Sequence, residues 1–329
     1  MADDEALMRE AIAIAATARG RTSPNPWVGC AIVPDGDGPI ALGATEPPGG
    51  PHAEIAALEL AGDDAKGSTV YVTLEPCSHT GRTGPCVQAL IAAGVRRVVV
   101  GIEDPDPQVS GTGIARLQDA GVEVEVGTCH DDVAEQLAPY LKHRRTGRPW
   151  VTLKLAATVD GRTAAPDGTS QWITGPEARM DVHRLRSDSD AVLVGAGTVR
   201  ADDPALTIRH VAGRDPLRVV LTRQPLPPRA KVKPALELSG DLGDVLDDLG
   251  RRGVLQLLVE GGPTVAGDFH RAGLVDRYIV YLAPALFGGD DARGLFAGAG
   301  AQTIDDVWRG RIVAVDQLGA DLRVELAAA

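Results

Sequence analysis

Apolar positions in about the first 140 residues follow two periodicities. Short continuous apolar runs, typical of buried strands, are separated by segments in which apolar residues recur every three to four positions, as in core-facing helices. Two of these helical segments end at glycines, Gly94 and Gly121, where a left-handed cap forms readily. The pattern predicts an α/β layer. Its strands are predicted at Val28–Val33, Thr69–Leu74, Val95–Ile102 and Val122–Val126, and its helices at His52–Ala61, Cys86–Ala93 and Ile114–Ala120.

The second half of the chain has an α/β pattern of its own. A basic stretch with a proline, residues 142–149, precedes it, and a new strand begins at Trp150. We therefore predict two domains, residues 1–146 and residues 147–329. The acidic helical segment Asp241–Arg252 is interpreted as a solvated face. Predicted strands are Val151–Ala157, Ala191–Val194, Leu217–Thr222, Leu255–Glu260 and Tyr278–Leu282, with helices at Ala178–Ser187 and Thr264–Ala272 and a final edge pair, Ile312–Val315 and Leu322–Leu326.

Composition and charge restrict the class of function. Of the 329 residues 44% are hydrophobic and 24% charged, as in ordinary soluble globular proteins. The formal net charge of −12 argues against a nucleic-acid or membrane-surface binder, which needs a basic surface, so we expect a small-molecule substrate. The chain shows neither a secretion signal nor a membrane-spanning run, and we expect it in the cytoplasm. Four cysteines are too few for a disulfide framework, so a close pair indicates a metal or catalytic site.

A metal site is predicted in the first half. His52 and Cys77 each stand near the junction of a predicted strand and helix, and Cys86 begins a helix. One imidazole and two thiolates leave the fourth position of a zinc ion to water, whose pKa falls to about 7. Glu54, two residues after His52, can move the water proton without binding the metal. This His-x-Glu and Pro-Cys…Cys layout is typical of zinc deaminases that act on nucleobases.

Two features of this cluster leave alternatives open. A structural zinc site would be closed by a fourth protein ligand, for which His79 is the nearest candidate; otherwise His79 faces the substrate. Eight residues, 78–85, separate Cys77 from Cys86, and this segment, which includes Arg82, suits a polar or phosphorylated substrate, although it is also compatible with a plain turn. We interpret Cys30 and Cys129 as small buried hydrophobic residues.

Glycines after strands mark candidate phosphate-binding positions in the second half. In Val259–Thr264 a strand passes through Gly261 and Gly262 into a helix, whose free amides can bind a diphosphate. Gly195–Thr198 offers a second such position, although a lone glycine after a strand is most often only a turn. No full Gly-x-Gly-x-x-Gly fingerprint occurs. Lys154, Arg186 and Arg209 could pair with a phosphate or form ordinary surface salt bridges.

Long motifs in both halves closely resemble the bifunctional deaminase/reductase family of riboflavin biosynthesis. In the first half they are residues 23–29 (SPNPWVG), 51–54 (PHAE) and 71–86 (YVTLEPCSHTGRTGPC). In the second half they are residues 153–155, 160–163 (DGRT), 170–174 (SQWIT), 197–209 (GTVRADDPALTIR) and 259–263 (VEGGP), and Gly288. The resemblance implies a cytidine-deaminase-like three-layer α/β domain followed by a dihydrofolate-reductase-like domain.

The resemblance also implies the reactions and the residues that serve them. The reactions are zinc-dependent hydrolytic deamination of a diamino-ribosylamino-pyrimidinone phosphate, then NADPH reduction of its ribosyl group to ribityl. The partners expected are this pyrimidine phosphate and further copies of the chain. The deaminase substrate would contact Asn25, His79 and Arg82, and the reductase substrate Lys154, Ser170, Arg186, Leu206, Arg209 and Glu260. NADPH would be held by Ala156, Trp172, Thr198, Asp202, Gly262, Pro263 and Thr264.

One position departs from the family pattern. The family usually carries a substrate-binding histidine seven residues before the zinc histidine, and this chain has Thr45 there. Two other hypotheses are therefore retained. One is an enzyme with only one of the two activities, and the other is a zinc-stabilised binding module.

Overall fold

The computed structural model describes residues 4–78, 84–107 and 109–328 of the chain. The chain divides into two compact units, Met1–Gly147 and Arg148–Ala329. The division falls one residue after the boundary predicted from the sequence. Each unit has a mixed α/β architecture with its own large sheet, as the predicted fold class requires. Within the described part of the chain, no helix combines the length and apolar character needed to cross a membrane.

A five-stranded mixed sheet forms the centre of the first unit. Its strands are β1 (Gly29–Val33), β2 (Ala41–Ala44), β3 (Thr69–Leu74), β4 (Arg97–Ile102) and β5 (Glu123–Val126), and its helices are α1 (Asp4–Ala16), α2 (Ala53–Ala61), α3 (Cys86–Ala93), α4 (Thr112–Asp119), α5 (His130–Gln136) and α6 (Ala138–Thr146), with a 3-10 turn at Gly62–Ala65. The order is β2-β1-β3-β4-β5, in which β1 is antiparallel to its neighbours and β3, β4 and β5 are parallel. The carboxyl ends of β3 and β4 therefore lie side by side, where open α/β sheets bind ligands.

The predicted elements of the first half are confirmed, and no end differs from its predicted position by more than two residues. The sequence did not reveal β2, a four-residue strand that contains Gly43, or the helices α5 and α6. The basic stretch predicted as a separator is a helix as far as Thr146, and Gly147, with φ of 72°, ends it. Cations in the last turn of a helix interact favourably with its dipole, so this run of basic residues stabilises α6.

An eight-stranded mixed sheet forms the centre of the second unit. The strands are β6 (Trp150–Thr158), β7 (Arg162–Ala164), β8 (Ala191–Gly195), β9 (Leu217–Leu221), β10 (Leu236–Leu238), β11 (Gln256–Val259), β12 (Arg277–Ala283), β13 (Arg293–Gly294), β14 (Gly310–Leu318) and β15 (Asp321–Ala328), and the helices are α7 (Pro176–Asp188), α8 (Ala196–Asp202), α9 (Leu242–Arg251) and α10 (Pro263–Arg271). The order is β10-β9-β8-β11-β6-β12-β15-β14, and β7 pairs with β13 separately. The predicted edge pair is confirmed: β15 is antiparallel to both β12 and β14.

Burial in the second unit corrects one interpretation. The segment interpreted as a solvated face, α9, exposes Asp244 but buries Val245, Leu246 and Leu249 in the main core cluster. A helix with one apolar stripe belongs to the core on that side. At the end of β8 the glycine run is the start of α8, whose first residue, Ala196, follows the strand directly. The short strands β7, β10 and β13 were not predicted, because two or three residues carry too little periodicity.

A close backbone contact positions α2 on the first sheet. A Cβ atom added to Gly43 of β2 would lie 2.3 Å from the Ala53 carbonyl oxygen and 2.4 Å from the Ala57 amide nitrogen. Both neighbours are backbone atoms and cannot rotate away. Only glycine permits this approach of strand and helix.

We predict that Gly43→Ala lowers the free energy of unfolding by about 1–3 kcal/mol, because the added methyl group overpacks the contact with α2. The measurement is urea unfolding followed by circular dichroism. Gly36→Ala is the matched control, since a Cβ at Gly36 meets nothing within 4 Å. Equal unfolding midpoints for the two variants would contradict the prediction.

Candidate active sites

Three side chains of the first unit converge at the ends of strands and helices. His52 is the N-cap residue of α2, Cys77 lies shortly after β3, and Cys86 is the first residue of α3. His52 Nδ1 lies 3.6 Å from Cys77 Sγ and 3.4 Å from Cys86 Sγ. All three donor atoms lie within 4.8 Å of one another, and the structure contains no other such His, Cys, Asp and Glu group among its described residues. The predicted metal ligands are thus brought together.

The electrostatics of the cluster suit a bound cation. The hydrogen bond from Cys86, together with one from His52, lowers the pKa of the Cys77 thiol to about 4. The same contact and burial raise the pKa of Cys86, because a second thiolate beside the first is disfavoured. The Cys86 amide also donates to Cys77 Sγ at 3.4 Å. Two thiols and an imidazole are ligands that zinc prefers, and three protein ligands are the number found in catalytic sites, so these residues fit zinc.

Glu54 is a buried carboxyl group in the first turn of α2. Its side chain is 4% exposed. Burial, followed by the charge of Cys77, raises the pKa of Glu54 to about 7. A group with such a pKa can take up and release a proton near neutral pH. The cluster therefore combines three donors that could hold a metal ion with a carboxyl group whose pKa suits proton transfer.

Of the three residues predicted to contact the deaminase substrate, the structure describes one, Asn25. Asn25 is half-buried in a loop closed by two hydrogen bonds with Thr22, from the Asn25 amide at 2.9 Å and from Thr22 Oγ1 to the Asn25 carbonyl at 3.0 Å. His79 and Arg82 lie outside the described residues. Cys30 is fully buried, as expected, but Cys129 is only partly buried, with its thiol 3.6 Å from the Glu5 carbonyl.

Thr45 is a buried residue whose hydroxyl group takes part in hydrogen bonding within the fold. Its side chain is 6% exposed, and the Val28 amide donates to Thr45 Oγ1 at 3.1 Å. The Thr45 amide in turn donates to the Val28 carbonyl at 3.0 Å. Where the resemblance leads us to expect a substrate-binding histidine, this chain has a hydroxyl that joins β1 to the end of β2.

A buried ion pair is the centre of the second site. Arg186 of α7 donates to both carboxylate oxygens of Glu260, which follows β11, at 2.6 and 2.9 Å. Their side chains are 12% and 8% exposed. Burial opposes ionisation of Glu260, but the charge and hydrogen bonds of Arg186 outweigh it and lower the pKa. Lys154 of β6 is a third member: burial lowers its pKa and the charge of Glu260 partly restores it. Two cations against one anion leave this cluster suited to an anionic ligand.

The loop that follows α8 is held by two hydrogen bonds with side chains of α7. Arg186 also donates to the Thr207 carbonyl at 3.1 Å, and the Arg209 amide donates to His183 Nδ1 at 3.1 Å. Leu206 of this loop is 3% exposed and has φ of 54°. The predicted substrate residues Leu206 and Arg209 are therefore held beside Arg186 and Glu260 by contacts from α7.

The predicted cofactor residues form one close group and several separate positions. Gly262 is the N-cap of α10 with no side-chain cap, and Pro263 and Thr264 follow it, so the first amides of this helix are open to a ligand. A Cβ on Gly262 would lie 3.6 Å from Thr198 Oγ1 of α8. Asp202 is the last residue of α8. Two helix starts at which glycine leaves the backbone amides accessible fit a dinucleotide diphosphate.

The other predicted residues lie apart from this group. Trp172 is 69% exposed and its ring lies 4.7 Å from the Arg179 guanidinium, while Ser170 and Ala156 are half-buried.

Two buried polar residues were missed by the sequence reasoning. Glu75 stands in the Leu74-Glu75-Pro76-Cys77 segment, and a charged residue at the end of an apolar strand was the available signal. His183 lies one turn before Arg186, but a histidine in a polar helix carries no comparable signal. Their partners are distant in sequence, which is why only the structure reveals their roles.

Comparisons with known proteins agree with this geometry. A family model described as "Cytidine and deoxycytidylate deaminase zinc-binding region" matches residues 1–102, and one described as "RibD C-terminal domain" matches residues 149–324. The "Riboflavin biosynthesis protein RibD" of Escherichia coli (strain K12) is 41% identical, over 99% of this chain and 100% of the relative. The relative of the same name from Mycobacterium tuberculosis (strain ATCC 25618 / H37Rv) is 43% identical, over 94% and 93%.

Solved structures show the same likeness over the whole chain. "Acinetobacter baumannii RibD, form 1" superposes with a TM-score of 0.93 at 40% identity, covering 99% of each chain. A Thermotoga maritima protein described as a diaminohydroxyphosphoribosylaminopyrimidine deaminase/5-amino-6-(5-phosphoribosylamino)uracil reductase superposes with a TM-score of 0.91 at 33% identity, again over 99% of each chain.

We predict that His183 makes the fold sensitive to acid. Burial, then the charges of Arg186 and Arg209, lower its pKa below the ordinary value of about 6.5. The unfolded chain then binds the proton more readily, so stability is lost as pH falls below about 6.5. Between pH 7.5 and pH 5 the urea midpoint of the wild type should fall further than that of His183→Asn, which keeps an acceptor but does not titrate. Parallel curves for the two proteins would refute this.

Proposed function

The chain belongs to the RibD family of riboflavin biosynthesis proteins, and from this premise we propose which unit and which residues perform each of its two reactions. It is a bifunctional deaminase and reductase, with zinc and NADPH as cofactors. Because both halves match the family, the alternative of a single retained activity is not supported. A zinc-stabilised binding module is likewise not supported.

We assign the deaminase to residues 1–146 and the reductase to residues 147–329. The two family models match on opposite sides of this boundary, and the chain divides into compact units at nearly the same residue. The substrate of the first reaction would be the diaminopyrimidinone with its ribosyl phosphate. The deaminated uracil product would be the substrate of the second.

The observation that carries the deaminase assignment is the group of the partly buried His52 and Cys77 and the buried Cys86, with Glu54 beside it. His52, Cys77 and Cys86 would hold zinc, which when bound supplies a Lewis acid that acidifies water at neutral pH. Glu54 would accept the proton released from the attacking water and deliver it to the departing amino group. The ring carbon then exchanges its amine for the water oxygen, and ammonia leaves. Asn25, His79 and Arg82 would contact the substrate.

In the reductase assignment the residues of the second unit bind and orient the substrate and NADPH, and none of them acts as a nucleophile. Lys154 and Arg186 would bind the anionic ribosyl phosphate part of the substrate, Glu260 would line the site and orient Arg186, and Ser170, Leu206 and Arg209 would lie at the edge of the site. NADPH, when bound, supplies the hydride that converts ribosyl to ribityl. Its binding residues would be Ala156, Trp172, Thr198, Asp202, Gly262, Pro263 and Thr264. Fixed side chains that align two reactants can supply much of the rate increase in such a step.

Two further properties, the compartment and the assembly of the protein, are part of the proposal. The cytoplasm suits the paired thiols of the metal site, because a reducing compartment keeps them available as ligands. A homo-oligomer is supported by the apolar side chains of Ile312 and Val315, which are 64% and 55% exposed on the edge strand β14. We expect sedimentation velocity to give a mass of at least two chains, and a monomer at micromolar concentration would contradict the oligomer.

Glu54→Gln tests the deaminase assignment. We expect ammonia release to fall by about 10²–10⁴-fold or more, because the amide can neither accept nor return the proton. Zinc content and NADPH oxidation with the deaminated substrate should stay at wild-type values, since neither depends on Glu54. Glu59→Gln, exposed on the same helix, is the matched control and should change none of the three. Unchanged ammonia release in Glu54→Gln would exclude the proposed proton transfer.

A further inference from the structure

Glu75 is a buried carboxylate with an unusually complete set of backbone donors. It is 3% exposed. Its Oε1 accepts from the amides of Gly113 at 2.8 Å and Ile114 at 3.2 Å, and its Oε2 from those of Gly111 at 3.0 Å and Asp104 at 3.2 Å. A carboxylate removed from water needs such compensation, and four donors that all meet one side chain fix its position.

Three of these donors belong to the beginning of α4, at residues 111–114. The N-cap residue Gly111 has φ of 70° and no side-chain cap of its own. Glu75 therefore caps α4 from a different element, and its negative charge lies where the helix dipole is positive. The fourth donor, Asp104, follows β4, so one side chain joins the ends of β3 and β4 to α4.

The residues on either side of Cys77 are held by the same helix. A Cβ on Gly113 would lie 2.1 Å from the Pro76 carbonyl oxygen, so the α4 backbone packs directly on the peptide before Cys77. After Cys77, Ser78 Oγ lies 2.7 Å from Thr112 Oγ1, and the Arg116 guanidinium donates to the Ser78 carbonyl at 2.6 Å. Glu75, Pro76 and Ser78 with residues 111–116 form what we call the α4 clamp.

We propose that Glu75 is a positioning residue that, through the α4 clamp, sets the place and direction of the Cys77 thiolate in the zinc site. The proposal rests on the assignment of Cys77 as a zinc ligand. Cys77 lies outside helix and strand, and its carbonyl accepts from the Val87 amide of α3 at 3.2 Å, whereas His52 and Cys86 are set by helix starts. The contacts of α4 with the residues before and after Cys77 add to this contact with α3 and restrict the direction of the thiol group. Metal sites require such support, because a donor displaced by about 1 Å binds poorly.

Glu75→Gln is the direct test, carried out on the full-length zinc-loaded protein. The substitution keeps the shape but turns one oxygen into an amide that cannot accept from its two backbone donors. We expect zinc to be lost to a chelator about 10–100-fold faster, as for other residues that support metal ligands. With Co²⁺ in place of zinc, the visible ligand-field spectrum should also change, because the geometry at the thiolate changes. Glu103→Gln is the matched control, since Glu103 is an exposed neighbour whose carboxylate accepts from Ser110.

Arg116→Met is a second test variant, which keeps the proposal testable if Glu75→Gln does not fold. Arg116 is exposed, and its loss removes only the contact with the Ser78 carbonyl. We expect a several-fold faster zinc release with an unchanged urea midpoint. Wild-type release rates and Co²⁺ spectra in the folded variants would overturn the proposal, as would a loss of stability with an unaltered metal site, which marks a purely structural role.

A further variant separates this proposal from the proposed function. Cys77→Ser should lose zinc whatever Glu75 does. If Cys77→Ser retains full zinc content, the metal assignment itself is wrong, and the clamp proposal is overturned with it. If Cys77→Ser loses zinc and Glu75→Gln behaves as wild type, the metal assignment stands and the clamp proposal alone fails.

Discussion

A charged group removed from water must be met by an opposite charge or by several hydrogen bonds, and both sites depend on this constraint. In the second unit Arg186 and Glu260 satisfy each other with two hydrogen bonds, and α7 and β11 are joined as a result. In the first unit Glu75 is satisfied by four backbone amides, which join α4 to the segment that carries Cys77. The positions of the functional side chains follow from where these buried charges find partners.

The sequence predicted those features that depend on local pattern. The apolar runs gave β3, β8 and β11 because such strands, buried on both faces, are continuous in sequence. The proposed metal ligands could be selected because zinc chemistry restricts residue types and because a Glu two residues after a His is a specific arrangement. Motif and periodicity therefore suffice where the constraint lies within a few neighbouring residues.

Features that depend on distant partners escaped the same reasoning. The capping of α4 by Glu75 joins residues 36 to 39 positions apart, and the bond from the Arg209 amide to His183 spans 26. The amphipathic α9 was interpreted from its acids alone, although its apolar stripe packs into the core. β2 has only four residues, and what identifies it is the approach of α2 to Gly43, a tertiary contact.

The same constraint distinguishes two buried glutamates of the first unit. Both carboxylate oxygens of Glu75 accept hydrogen bonds from fixed backbone amides, so this side chain is committed to the capping of α4. Glu54 is as deeply buried, but burial prevails over its few hydrogen bonds and raises its pKa to about 7. A proton carrier must exist in both protonation states at little energetic difference. Of these two acids, therefore, Glu54 has the property that a proton carrier needs, whereas the contacts of Glu75 serve the structure that surrounds it.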